Sequence, residues 1–155
     1  AFLLTRRLDE RARLHPFETT LLRHVPFLSG LAPYELERLA AASAWRDVPA
    51  GTPVVRAGEP GHEFFVVAEG ELAVDVPGSS HRPVLHEHDF FGEIALLRSV
   101  PRTATVTATS PARLLVLSAQ PFLAAVTGAQ DGYAVAAELA GRYQDLESVG
   151  GGGAG

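Results

Sequence analysis

Hydrophobic residues change their spacing twice along this 155-residue chain. Ahead of residue 43 they recur every three or four positions: Leu21, Leu22 and Val25 within Phe17–Val25, then Leu36, Leu39 and Ala40 within Pro33–Ala42. That spacing gathers them on one face of a helix. Pro33 suits the first helical position, where its missing N–H is not needed. From Trp45 the period falls to two. Strands are expected at Ala44–Val48, Thr52–Val55, Phe64–Ala68, Leu72–Val76, Val84–His86, Thr103–Thr109 and Arg113–Leu117, with Gly- and Pro-containing turns between them. After Leu117 the helical spacing returns. Ser118-Ala119-Gln120 opens one helix, with Phe122, Leu123 and Val126 inward and Gly128 at its end; a second runs from about Asp131 to Leu146. The fold read from this pattern is mainly β with flanking helices, an eight-stranded β-roll (jelly roll) over 44–118. A helical segment (17–42) precedes it and two helices (119–146) follow. A charged segment (1–14) and a flexible Gly-rich tail (147–155) bracket the domain at 15–146.

Chemistry concentrates between Phe90 and Val106, FFGEIALLRSVPRTATV. Gly92 permits a tight turn, and the apolar run after Glu93 is long enough for one or two helical turns, whose first N–H groups lack partners within the helix. Arg102, nine positions beyond Glu93, offers a planar fork that grips an oxyanion with two parallel hydrogen bonds, which a Lys cannot do. Ionised Glu93 only accepts, so it suits hydroxyl donors. An anion and a vicinal hydroxyl a few ångströms apart describe a cyclic ribose phosphate.

These residues resemble the phosphate-binding cassette of cyclic-nucleotide-binding domains, the family of the protein kinase A regulatory subunits and the bacterial catabolite activator. Its pattern reads F-G-E-[LI]-A-L, a spacer, then P-R-[AST]-A-[TS]-V. The resemblance implies a ligand site of Gly92, Glu93, Ile94, Ala95, Arg102, Thr103 and Ala104. Glu93 would hold the ribose 2′-hydroxyl and Arg102 the exocyclic phosphate oxygens, with backbone around Gly92, Ala95 and Ala104 completing the cradle. Val135, Leu139, Arg142 and Tyr143 would face the base from the last helix, which in the family closes as a lid; Gly128 and Gly132 would hinge it. Thr103 leaves cAMP and cGMP both open, with cAMP favoured. The run RAGEPGHEFFVVAEGELAV resembles the family's turns as well, and Gly58, Gly61 and Gly70 are expected at positions needing φ > 0. Three departures stand out: His62 where Asp is frequent, Phe65 where Tyr is frequent, and His88 where a Gly commonly precedes the acidic residue.

A formal charge of −5 gives no electrostatic support to nucleic-acid binding, and nothing after Leu146 is long enough for a helix-turn-helix reader. No Cys is present, and no run of eighteen apolar residues spans a membrane. The complete absence of Met, Lys and Asn beside abundant Ala, Arg, Gly and Pro points to a bacterial, GC-rich coding bias and to a piece of a longer protein. Ala1–Leu4 followed by Arg6, Arg7, Arg11 and Arg13 reads either as a solvated charged helix or as the cytoplasmic flank of a membrane helix. The second reading makes the chain a cytoplasmic domain of a membrane transporter or channel.

Two rivals compete. His86-Glu87-His88 with Glu93 fits H-x-H-x4-E, the first metal motif of the cupins. No His follows His88 to complete that set. The other rival is a jelly roll that binds nothing and serves docking or dimerisation. No nucleophile–base spacing and no phosphate loop is visible, so the expectation is a regulatory domain, not an enzyme, without metal or cofactor beyond its cyclic nucleotide.

Overall fold

The computed structural model describes residues 14–128. Two helices come first, α1 (Pro16–Arg23) and α2 (Pro33–Ala41), each with Pro at its start. Eight strands follow: β1 (Ala44–Val48), β2 (Pro53–Val55), β3 (Glu63–Glu69), β4 (Leu72–Asp75), β5 (Val84–Leu85), β6 (Phe90–Phe91), β7 (Thr105–Ala108) and β8 (Ala112–Ser118). A short helix, α3 (Glu93–Arg98), interrupts them between β6 and β7, and α4 (Ala119–Gly128) closes the described segment. The strands form two antiparallel four-stranded sheets, ordered β1-β8-β3-β6 and β2-β7-β4-β5. The eight-stranded roll with flanking helices is therefore as expected. The second C-terminal helix, with Val135, Leu139, Arg142 and Tyr143, lies outside the described residues, as do most of the charged N-terminal segment and the tail.

β3 explains the layering. All four of Phe64, Phe65, Val66 and Val67 are fully buried, because both faces of this strand are covered. Phe64 and Val66 join the helices, together with Leu22, Leu28, Leu36, Leu115, Leu117 and Phe122. Phe65 and Val67 face the second sheet, packing with Leu72, Phe91, Val106, Leu114 and Val116. Alternation along one strand thus feeds two separate cores. In the helical core Phe64 stacks on Phe122 at 4.5 Å between centroids, and Phe27 meets Phe64, Phe90 and Phe122 at 5.3–5.9 Å.

Several boundaries differ from the sequence reading. α1 ends at Arg23 rather than Val25, although Val25 remains fully buried in the turn that follows. Thr103 and Ala104 stand outside β7, which starts at Thr105. The eighth strand is the pair Phe90–Phe91, which the alternation did not single out; it pairs with Val66 and Phe65 on β3. His88 occupies the left-handed region at φ 75°, a conformation that favours Gly. Its N–H donates to the Val67 carbonyl at 2.8 Å, and its ring stacks on His24 at 3.9 Å, so pairing on both sides compensates the conformation.

Candidate functional site

β6 delivers the chain to Gly92, whose φ of +97° turns it directly into α3. A Cβ at Gly92 would stand 2.8 Å from the Glu63 carbonyl oxygen and 2.9 Å from Arg102 Nη1, so both φ and space demand glycine. The turn buries Glu93, Ile94 and Ala95 at the head of α3, with Glu93 only 3% exposed. α3 ends after one and a half turns at Ser99, itself left-handed at φ 52°.

Arg102 is held from behind by its own backbone. Its N–H donates to the Glu59 carbonyl, and its carbonyl accepts from the Gly58 N–H, both at 2.8 Å. Its side chain is 7% exposed. Nη2 donates to the Glu63 carbonyl at 2.9 Å and Nη1 to the Gly92 carbonyl at 3.2 Å, while the guanidinium lies 5.8 Å from the centre of the Phe65 ring. Gly61 makes room: a Cβ there would come within 2.6 Å of Arg102 Nε and 2.8 Å of the Ala95 methyl. Gly58 and Gly70 do take positive φ, at 86° and 93°, as expected. Gly61 does not; close packing, not backbone conformation, requires it.

Gly92, Glu93, Ile94, Ala95, Arg102, Thr103 and Ala104 all line one cavity of about 80 Å³. Its apolar wall comes from the second sheet, with Val55, Val74, Leu85 and Val106. Among the described residues neither charged side chain finds a full set of partners. Glu93 Oε2 is buried with no hydrogen-bond partner among the described residues. Desolvation by burial pushes the Glu93 carboxyl up to about 7; its own backbone N–H and the Arg102 charge act in the opposite sense. Arg102 is lowered from its ordinary value, again first by burial, with Glu63 and then Glu93 opposing. Arg102 spends two of its five N–H groups on carbonyls, leaving three without a protein acceptor among the described residues. The two carbonyls offset part of the cost of burying the Arg102 guanidinium.

The metal alternative finds no geometry. Glu93 is buried, whereas His86 and His88 are exposed, with Glu71 and Asp89 near the first and Glu87 near the second at 3.7–4.0 Å. Among the described residues no three potential ligands cluster, so these His residues do not converge with Glu93. No helix among the described residues is long and apolar enough to cross a membrane.

Sequence reasoning missed the Glu63 carbonyl, the Phe65 ring and the packing role of Gly61. The first is a backbone atom that any residue type would supply, so no signal marked it. The second lay in plain view as part of an apolar run, without indication of what it faced.

Residues 45–127, more than half of the chain, match the model of the cyclic nucleotide-binding domain. A cAMP-dependent protein kinase regulatory subunit of Yarrowia lipolytica is 41% identical over 102 residues, covering 65% of this chain and 27% of that protein. A cyclic nucleotide-gated potassium channel of Mesorhizobium japonicum is 41% identical over 103 residues, covering 66% of this chain and 28% of the channel. The chain thus spans about a quarter of the length of these relatives. Among solved structures, the regulatory domain of Toxoplasma gondii protein kinase A with cAMP superposes with a TM-score of 0.74 at 26% identity, over 87% of this chain and 52% of that one. The chain belongs to the cyclic nucleotide-binding domain family.

Proposed function

We propose that this domain is a sensor that binds a 3′,5′-cyclic nucleotide, cAMP in preference to cGMP, and passes the binding event to an effector attached in the longer protein. One observation carries the reading: among the described residues Arg102 keeps three N–H groups uncommitted beside a buried Glu93 whose Oε2 lacks a partner there, in a single cavity. A cyclic phosphate accepts from the guanidinium, and a ribose hydroxyl donates to the orphaned carboxyl oxygen. The base lies against the apolar wall of Val55, Val74 and Leu85. Thr103 is half-buried at the cavity and adds a single hydroxyl contact, ~0.5–1.5 kcal/mol, too little to impose guanine.

The cavity is smaller than the ~300–1,000 Å³ usual for small-molecule sites, so a nucleotide enters only by moving the walls apart or by projecting beyond them. A projecting base calls for a cover, and the segment with Val135, Leu139, Arg142 and Tyr143 is the proposed lid, hinged near Gly128 and Gly132. Leu96 and Leu97 of α3 pack in the same core as Phe122 of α4, which offers a mechanical route from cassette to lid. Ligand then shifts an existing balance between open and closed arrangements, without any catalytic step. The effector we favour is a bacterial membrane channel or transporter, which places this domain in the cytoplasm; the channel relative supports that choice. A homodimer is compatible with it.

Titration calorimetry with cAMP, cGMP and 5′-AMP tests the reading. The expected result is saturable binding of both cyclic nucleotides, cAMP tighter, and none of the linear one; absence of heat with either cyclic nucleotide at millimolar concentration overturns it. A ligand-blind docking module is the second reading, favoured by the two carbonyls that occupy two Arg102 N–H groups without any anion. The same titration decides between them. For the lid, amide spectra of residues 131–146 should shift on saturation, and unchanged spectra would remove it.

A further inference from the structure

Beyond the cavity, a second arginine reaches the same network. Arg46 on β1 sits opposite Leu114 on β8, and Glu63 opens β3 opposite Ser118 of the same strand. β8 runs between β1 and β3, and although the two positions lie four residues apart along it, the long side chains of Arg46 and Glu63 meet across it on the face that leads to the inter-sheet core. They meet through both guanidinium nitrogens, Nη2 to Oε2 at 2.7 Å and Nη1 to Oε1 at 3.3 Å. Glu63 is at the same time the residue whose carbonyl accepts from Arg102 Nη2 at 2.9 Å. The Phe65 ring lies 5.6 Å from the Arg46 guanidinium and 5.8 Å from that of Arg102. Both arginines thus bond to Glu63, Arg46 through its carboxylate and Arg102 through its backbone carbonyl, and both lie beside one aromatic ring, while Arg102 and not Arg46 lines the cavity.

The chemistry that follows is a competition. Glu63 is the anion that most strongly favours the charged form of Arg102, ahead of Glu93. In this structure the Glu63 carboxylate is bonded to Arg46, whereas Arg102 bonds the backbone carbonyl of the same residue, so the carboxylate is tethered near Arg102 but held by Arg46. Arg46 neutralises that carboxylate by a bidentate bond, which lowers its hold on Arg102. We propose that Arg46 is a positioning residue for ligand affinity: by engaging Glu63 it keeps Arg102 available to an incoming cyclic phosphate, and without it Glu63 competes for the same guanidinium. The inference rests on the cyclic-nucleotide reading and deepens it. Both side chains are more than a third exposed, at 43% and 37%, so solvent screening keeps the effect modest.

Calorimetric titration of cAMP into the wild-type chain, Arg46→Ala, Glu63→Gln and the double variant tests it. Arg46→Ala should weaken binding about two- to fivefold and Glu63→Gln should tighten it by about the same factor. The double variant should match Glu63→Gln alone, and Arg46→Lys should recover part of the loss. A merely structural salt bridge between strands predicts weakening, or no change, in both single variants, and either outcome overturns the proposal. A loss from Arg46→Ala that persists in the Glu63→Gln background also overturns it, since Arg46 would then act through its own charge. Failure of the wild-type chain to bind cAMP or cGMP removes the sensor reading and this inference together, whereas wild-type binding without the opposed shifts removes the inference alone.

Discussion

Glu93 stores a conflict that pH can read out. Its carboxyl is 3% exposed, one oxygen has no partner among the described residues, and burial raises it from 4.5 to about 7. A carboxyl raised on folding favours the folded state while both states are protonated, below about pH 4.5. That advantage is lost as pH climbs through about 7, where the buried group must ionise. The loss amounts to roughly 2–3 kcal/mol between pH 5 and pH 8. Glu93→Gln removes the charge but keeps a carbonyl acceptor, so its unfolding free energy should exceed that of the wild-type chain increasingly across this window. Denaturant melts at both pH values measure the gap; a gap that stays constant would show that Glu93 is not strained by burial. A ligand hydroxyl donating to Oε2 relieves part of the same conflict, so Glu93→Ala should weaken cyclic-nucleotide binding by ~1–3 kcal/mol in titration.

At the scale of elements, the site depends on two glycines acting for different reasons. Gly92 turns β6 into α3 with a left-handed backbone; Gly61 keeps an otherwise ordinary backbone close to Arg102 and Ala95. Gly61→Ala should therefore push Arg102 away from its carbonyls, costing about 1–3 kcal/mol in stability and weakening ligand binding more than Thr103→Ala does. Equal affinities for wild type and Gly61→Ala would show that the guanidinium tolerates displacement. The same two glycines mark what the sequence could express. Periodicity located seven of the eight strands and both leading helices, because the switch from a period of three or four to one of two is written in side chains. Phe90–Phe91 escaped because it runs without a turn into the cassette, and its strand character comes from pairing with β3. The cassette residues were legible through their unusual chemistry at fixed spacing. Glu63 was not, since its contribution to Arg102 is a carbonyl placed by the fold.

The described domain joins two cores through the paired strands β3 and β8, and the site stands beside β3. Phe65 faces the inter-sheet core and the Arg102 guanidinium; Phe64, its neighbour, stacks on Phe122 of α4 in the helical core. Occupying the cavity should hence stabilise both cores together. Ligand at a hundred times its dissociation constant should add about 2.7 kcal/mol to global stability and raise the melting temperature in a single transition. Two separate transitions would mean that the helical layer does not follow the roll. The central claim concerns Arg102 itself, and calorimetry comparing the wild-type chain with Arg102→Ala for cAMP tests it most directly. Loss of the guanidinium should weaken binding by ~2–5 kcal/mol, roughly thirty-fold to several-thousand-fold, while the folded spectrum is retained. Unchanged affinity in a folded Arg102→Ala chain would contradict the account.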